Sequence, residues 1–418
     1  MLDLMRIHYG LMRRYERYFL FPLYRKLMSR RVKNVRKKKV INVLFIITEV
    51  GPWKTKELYK LMLSHPRFNP SLGVTYSMEV PSSKAKLMDY LQDNNFDFVD
   101  LDVDTYDAFV SLSPDIIFYQ KPYDGCYKYE MRYRNHLNSL FCNVNYGFHC
   151  DDTSWAVNQP LYENVWQQYY ENELLITPKR LAMMPDKGKQ IVVTGLPIQD
   201  QFIQNYTSAT QDPWKKREEI KKRIIFAPHH TIGNMHLSGL AISSFLETGE
   251  FMLEMMRKYS NQVQWAFKPH PLLYSRLVTV WGKEKTDNYY KEWKLTENSQ
   301  FENGEYYSLF KYSDAMIHDC DSFTVEYFYA HNPILYLERQ ENAETTRSEL
   351  CQRAYDLHYK GSTKEQIEKF IQNVIQGIDP MKEEREKFYH EYLIPPHGKT
   401  ACENIINAIL GEAEYRGI

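Results

Sequence analysis

Apolar residues in this chain come in short dense bursts that alternate with stretches repeating at helical spacing. VINVLFIITEV (Val40 to Val50) is an almost unbroken apolar run, the pattern of a parallel strand buried on both faces. KTKELYKLMLSH follows at helix spacing. PSLGVTYS, FDFVDLDV, PDIIFYQKP, NVNYGFH and QIVVTGLP then read as further strands, with helical segments such as SKAKLMDYLQDN between some of them. That alternation predicts a doubly wound α/β domain over residues 40–212. The polar stretch from Asn205 to Arg223 reads as an interdomain linker.

A second alternation fills residues 213–418. Its strands are RIIFAPHH, WAFKPHP, DAMIHD and PILYL. Its helices are GEFMLEMMRKYSN, SFTVEYFYA, TKEQIEKFIQNVIQG and CENIINAILGEA. Two successive blocks of this kind imply two Rossmann-like domains facing a central cleft. A length of 418 residues suits two domains, and 43% hydrophobic with 15% aromatic content suits packed globular ones.

The net charge of zero conceals a split. Residues 1–40 carry 13 Lys or Arg against Asp3 and Glu16, a net of +11 that the rest of the chain cancels. In that head, Leu, Met, Phe and Tyr are interspersed with Arg at roughly helical spacing, without an apolar run long enough to span a bilayer and without a signal-peptide core. Residues 1–39 therefore read as a basic amphipathic helix with an anionic membrane surface as partner, or else as a core-docked helix with a solvated basic tail. No nucleic-acid motif is present, and nucleic acid is not expected as a partner.

The six cysteines are scattered, which argues against a zinc site or a disulfide framework and suits a reducing cytoplasm. Cys320 reads as a small buried filler. Without G-x-G-x-x-G or a P-loop motif, neither dinucleotide nor P-loop binding is indicated, and no cofactor is implied. The sequence requires no metal. DLDVD (Asp100 to Asp104) contains a formal D-x-D but reads as strand alternation.

Chemistry concentrates where three strand candidates end. Their tips hold His229, His230 and Thr231, then Lys268 and His270, then Asp319 and Ser322. The carboxyl ends of parallel strands line the ligand crevice, so these tips predict one site for a phosphorylated ligand. Ser322 precedes a helix-like segment and is expected as its N-cap, leaving backbone N–H groups for phosphate. Thr324 could add a hydroxyl donor, and Phe323 belongs to the same segment. Glu326 suits ribose hydroxyls better than phosphate. Asp319 could orient His318 or a loop amide, and His236 reads as surface. A neutral imidazole can accept a hydroxyl proton near pH 7, which makes His149 or His270 the candidate general base.

In this order the motifs resemble the CDP-glycerol glycerophosphotransferase family, the teichoic-acid primases and polymerases with a GT-B fold. NYGFHCDDT places His149 where the family has the histidine of a W-H-G-T-like motif. TGLPIQD, with Gly195, Pro197 and Asp200, loosely matches its G-x-P-R-x-D turn. APHH, KPHP and HDCDS stand for A-P-T-W, K-x-H-P and T-D-Y-S-S. The terminal HGKTACENIINAI keeps Gly398 and Lys399 of a D-G-K-x-x-x-R-I ending, with Glu403 where arginine is usual. The likeness covers roughly residues 140–410. Two departures stand out: Cys150, Asp151 and Asp152 follow His149, and Asp321 replaces a serine.

The resemblance implies a GT-B enzyme that moves glycerol phosphate, or a related alditol phosphate, from a CDP-linked donor to a lipid-linked or polymeric acceptor hydroxyl, releasing CMP. It assigns the acceptor base to His149 and pyrophosphate neutralisation to His270 and Lys268. Taken with the reading of the strand tips, the expected substrate-binding residues are Lys268, His229, His230, Thr231, Asp319, Ser322, Phe323, Thr324, Glu326, Gly195 and Pro197. The setting implied is teichoic-acid-like or capsule polysaccharide synthesis by a cytoplasmic protein peripheral to the membrane. A GT-B glycosyltransferase using a nucleotide sugar and a non-catalytic GT-B scaffold are the alternatives.

Overall fold

The computed structural model describes residues 14–103, 105–219, 221–233, 242–339, 346–412 and 415. His236 and the start of the basic head, residues 1–13, lie outside them. The chain forms two compact units. The first comprises Met1–Gly147, Thr153–Asp200 and Pro395–Ile418, and the second Phe148–Asp152 and Gln201–Ile394.

The first unit is built on seven strands: β1 (Ile41–Ile47), β2 (Phe68–Val74), β3 (Val99–Asp100), β4 (Ile116–Tyr119), β5 (Leu140–Val144), β6 (Gln167–Tyr170) and β7 (Ile191–Val193). They pair in the order β3-β2-β1-β4-β5-β6-β7, all parallel. Every residue of β1 except Asn42 is buried, as its apolar run requires. Chain order reverses between β1 and β4, the switch point at which sheets of this type bind ligands.

The second unit has six strands: β8 (Lys222–Ala227), β9 (Val263–Phe267), β10 (Ser299–Phe301), β11 (Ala315–His318), β12 (Ile334–Leu337) and β13 (Tyr359–Gly361). Their order is β10-β9-β8-β11-β12-β13, again all parallel, with the switch point between β8 and β11. Its core packs Trp265, Trp293, Phe226, Phe245 and Phe267 beneath helices such as Phe245–Lys258 and Lys364–Gln376.

Several sequence expectations need correction. FDFVDLDV supplies only the two-residue β3, because Asp102 leaves the strand to accept bonds from Thr75 Oγ1 and Tyr76 N and to pair with Lys84 and Lys128. NVNYGFH stops being strand at Val144. The linker expected from Asn205 overlaps the helix Pro197–Thr207, and within it Trp214 is buried, its indole N–H donating to Leu309 O.

The head is docked where it is described. In the helix Phe21–Lys37, Phe21 and Tyr24 enter the first unit's core, and the Tyr24 hydroxyl donates to Ser139 O. Burying two such aromatics is worth roughly 2–3 kcal/mol each. Leu23 on its outward side is exposed, as are Tyr18 and Phe19 in the preceding turn Glu16–Leu20. Among the described residues no helix is long and apolar enough to cross a membrane.

The C-terminal helix Ala401–Leu410 returns to the first unit. Thr400 and Glu403 form a capping box at its start, which gives Glu403 a structural reason to stand where the resembled family has arginine. Arg36 donates to Ala408 O and Ile409 O at its other end.

Candidate functional site

β8, β9 and β11 are adjacent in the second sheet, so their C-terminal tips meet at its switch point. The β9 tip is zipped to the β8 tip by Lys268 N donating to Phe226 O (2.8 Å) and His270 N to Pro228 O (3.0 Å). Proline on both sides of His270 holds that loop extended. The β11 tip supplies Asp319, whose fully buried carboxylate accepts from His229 N (2.6 Å), Ser243 Oγ (2.8 Å) and Ser244 N (2.8 Å). Of the two roles open to Asp319 in the sequence, the structure shows the loop amide. Burial pushes its carboxyl up to about 6, against the lowering effect of these bonds.

The result is a cluster of three imidazoles. Ring centroids lie 4.3 Å apart for His229 and His230, 4.2 Å for His230 and His270, and 5.0 Å for His229 and His270. One ring nitrogen from each falls within 4.8 Å of the others. Thr231 Oγ1 sits 2.9 Å from His229 Nδ1 and fixes that ring. His270 Nδ1 accepts the Leu272 amide at 3.1 Å, so its proton resides on Nε2. Burial, with His230 and Lys268 nearby, lowers the His270 pKa to about 3. The ring is therefore an uncharged N–H donor near neutrality. It can donate to an oxyanion as it stands, whereas ligating a cation through Nε2 would need the proton moved to Nδ1 and the Leu272 bond broken.

Lys268 extends the site along β9. Its ammonium donates to Gly304 O at 2.9 Å and lies 5.1 Å from the Tyr306 ring centre. Tyr306 in turn contacts Phe323 (5.3 Å between centroids) and hydrogen-bonds the buried Glu326. Phe323 thus belongs to an aromatic cluster with Phe310. Glu326 is 2% exposed, so it is enclosed at Tyr306 where ribose contact had been expected.

The helix after Asp319 also differs from expectation. Ser322 occupies the N-cap position with helical dihedrals (φ −64°, ψ −37°) and makes no capping bond, because the turn is closed by Thr324 N donating to Asp321 O. That helix spans only Phe323–Glu326. Thr324 is fully buried, with its hydroxyl donating to Cys320 O at 3.3 Å where a bond to ligand had been expected. Cys320 is the buried filler expected, its thiol pushed up to about 12 by burial.

His149 lies on a segment that belongs with the second unit. Its segment packs within the second unit, where Ser348 N donates to Cys150 O, Asp152 N donates to Thr346 O, and Asp151 bridges Arg347 in antiparallel register. Sequence position alone had set His149 in the first domain. Arg347 also faces Asp321, whose carboxyl burial pushes up to about 6, with Arg347 lowering and Asp151 raising it. The two departures from the resembled family, the acidic residues after His149 and Asp321, thus share one arginine. Sequence reasoning missed Arg347, which no motif marks.

Gly195 and Pro197 lie in the first unit. Gly195 has φ +78°, and a Cβ there would stand 2.9 Å from Pro395 Cβ and 3.0 Å from Ala401 Cβ. Asp200 accepts Ala401 N and Cys402 N, both at 2.8 Å, at the start of the C-terminal helix. This turn holds the returning helix, a task that no local motif marks.

No known protein family matches the sequence, and no curated protein does. Solved structures do share its fold. A histidine-to-alanine variant of the wall teichoic acid polymerase TagF aligns over 97% of this chain and 97% of its own, with TM-score 0.55 and 14% identity. UDP-GlcNAc 2-epimerase from Neisseria meningitidis, bound to UDP-GlcNAc, covers 88% of this chain and 99% of its own, with TM-score 0.53 and 13% identity. S. aureus MnaA with UDP covers 88% and 96%, with TM-score 0.53 and 15% identity. The fold is of GT-B type, with two Rossmann-like α/β units. At these identities the likeness extends to fold alone.

Proposed function

We propose that this protein is a polyol-phosphate transferase that takes an alditol phosphate from a CDP-linked donor and passes it to an acceptor hydroxyl. The observation that carries this reading is the meeting of Lys268 and three imidazoles at the switch point of a parallel sheet, where an anionic ligand finds N–H donors and a cation together. The fold shared with a teichoic acid polymerase agrees with it.

In the reaction, the acceptor oxygen forms a bond to the phosphorus bearing the alditol. The bond from that phosphorus to the bridging oxygen breaks, and CMP leaves with the electron pair. His149 takes the hydroxyl proton in this proposal, and Lys268 balances charge on the departing phosphate. His270 Nε2–H donates to a non-bridging oxygen, and a bound anion would raise its lowered pKa toward neutrality. The acceptor is lipid-linked or polymeric, and the basic head holds the protein at the cytoplasmic face of an anionic membrane.

A nucleotide-sugar transferase is the rival, favoured by the fold shared with proteins bound to UDP and UDP-GlcNAc. Thermal shift separates the two, since a ligand that binds only the native state raises the melting temperature. CDP-glycerol or CDP-ribitol should stabilise the full chain more than UDP-GlcNAc at equal concentration. Stabilisation by UDP-GlcNAc with none by either CDP-alditol would reject the reading.

A further inference from the structure

The switch point of the first unit carries a second constellation, which no motif announced. Gln120 and Lys121 follow β4, and Thr48 and Glu49 follow β1. Gln120 Oε1 accepts from Thr48 N (2.7 Å), Thr48 Oγ1 (2.9 Å) and Glu49 N (3.2 Å), which locks the two tips together. Lys121 pairs with Glu49 at 2.7 Å and with Glu79 at 2.8 Å. The group carries one positive and two negative charges, and its single ammonium is already held. A phosphate-rich ligand would meet net repulsion there.

Aromatic rings continue from that group to the surface. Tyr146 feels the charges of both Lys121 and Glu79, and its hydroxyl lies 3.2 Å from that of Tyr123. The Tyr123 ring is stacked with Trp155 at 5.3 Å and 19°. Trp155 is 63% exposed, although it stands on a helix of only four residues capped by Thr153. A tryptophan held flat by a ring beneath it, with its outer surface in water, is a stacking platform.

We infer that this platform binds a pyranose ring of a neutral saccharide. One face of a pyranose presents a flat set of C–H bonds that packs on the indole, whose π-face is electron-rich. Its rim presents hydroxyls, and Glu79, still half exposed beside its bond to Lys121, has a carboxylate that can accept from them. An open-chain polyol has the hydroxyls but not the flat apolar face. A polyol phosphate adds a charge that the pair of glutamates opposes. The saccharide would be the recognised part of the acceptor. That role rests on the transferase reading, whereas saccharide binding itself does not.

The test uses the full chain with four probes: N,N′-diacetylchitobiose, maltose, glycerol and sn-glycerol 3-phosphate, followed by saturation-transfer NMR and calorimetry. At least one disaccharide should bind saturably, with Trp155→Ala weakening it about tenfold, as expected for losing one stacked ring. Trp155→Phe should retain most of the affinity, Glu79→Gln should weaken binding, and His270→Ala should leave it unchanged. The inference is overturned if neither disaccharide binds, if Trp155→Ala binds as the parent does, or if sn-glycerol 3-phosphate occupies the platform in preference. A parallel assay of CMP release from CDP-glycerol keeps the two readings apart. Turnover without saccharide binding sinks this inference alone, and saccharide binding without turnover sinks only the transferase reading.

Discussion

Asp319 offers a prediction that depends on the structure and not on the reaction. Its carboxyl is fully buried and titrates at about 6, against 3.8 for an exposed aspartate. The folded carboxyl holds its proton to higher pH than the unfolded one, so ionisation works against folding. The stability involved is present below pH 4 and is lost as pH rises to about 6. A shift of about two pH units corresponds to about 3 kcal/mol. Asp319→Asn removes that dependence. It also turns an amide N–H₂ toward one of the donors at His229 N or Ser244 N, a mismatch costing about 1–3 kcal/mol at every pH. Relative to the parent, the variant should therefore gain about 3 kcal/mol between pH 4 and pH 6.5, ending level with it or more stable. Urea unfolding followed by tryptophan fluorescence measures it, because Trp265 and Trp293 lie in the second unit's core. A difference that stays constant, or moves further against the variant as pH rises, would show that Asp319 does not titrate in this way.

Other residues give sharper local outcomes. His318 is fully buried with its pKa lowered to about 3, so its contribution to stability is complete above pH 6.5 and is lost as pH falls toward 3. His318→Phe should lower the acid-unfolding midpoint seen by circular dichroism. Gly195→Ala must place a methyl against Pro395 and Ala401 at φ +78°, and a loss of about 2–4 kcal/mol in chemical denaturation is expected. Replacing Tyr18, Phe19 and Leu23 by serine should reduce cosedimentation with anionic vesicles at an unchanged melting temperature. Deleting residues 1–39 would instead strip Phe21 and Tyr24 from the core and lower that temperature.

The sequence was most legible where one physical requirement dominates. β1, β8 and β9 are apolar runs that only burial on both faces explains, and all were expected where they occur. The three polar tips were expected to converge because strand ends share an edge, and β8, β9 and β11 are indeed neighbours. β6, β10 and β13 escaped notice because QQYY, SQF and YKG lack aliphatic character, and neighbouring strands rather than propensity hold them in the sheet. Ser322 and Thr324 were read by residue type as a cap and a donor, yet the tight turn after Asp319 uses backbone bonds for the first and buries the second. Arg347 and the Tyr123–Trp155 stack depend on contacts across long stretches of chain, to which no local spacing gives access. The head fell between its two readings. Its described helix is docked through one side, while the other keeps apolar residues at the surface.

In the proposed reaction the second unit's switch point handles a CDP-alditol for transfer. The most direct measurement is release of CMP from CDP-glycerol by the full chain on membranes supplying acceptor, with UDP-GlcNAc tested in parallel. CMP release is expected, and His270→Ala should reduce it at least tenfold while the variant remains folded. UDP release from UDP-GlcNAc with no CMP from CDP-glycerol, or full CMP release by His270→Ala, would contradict it.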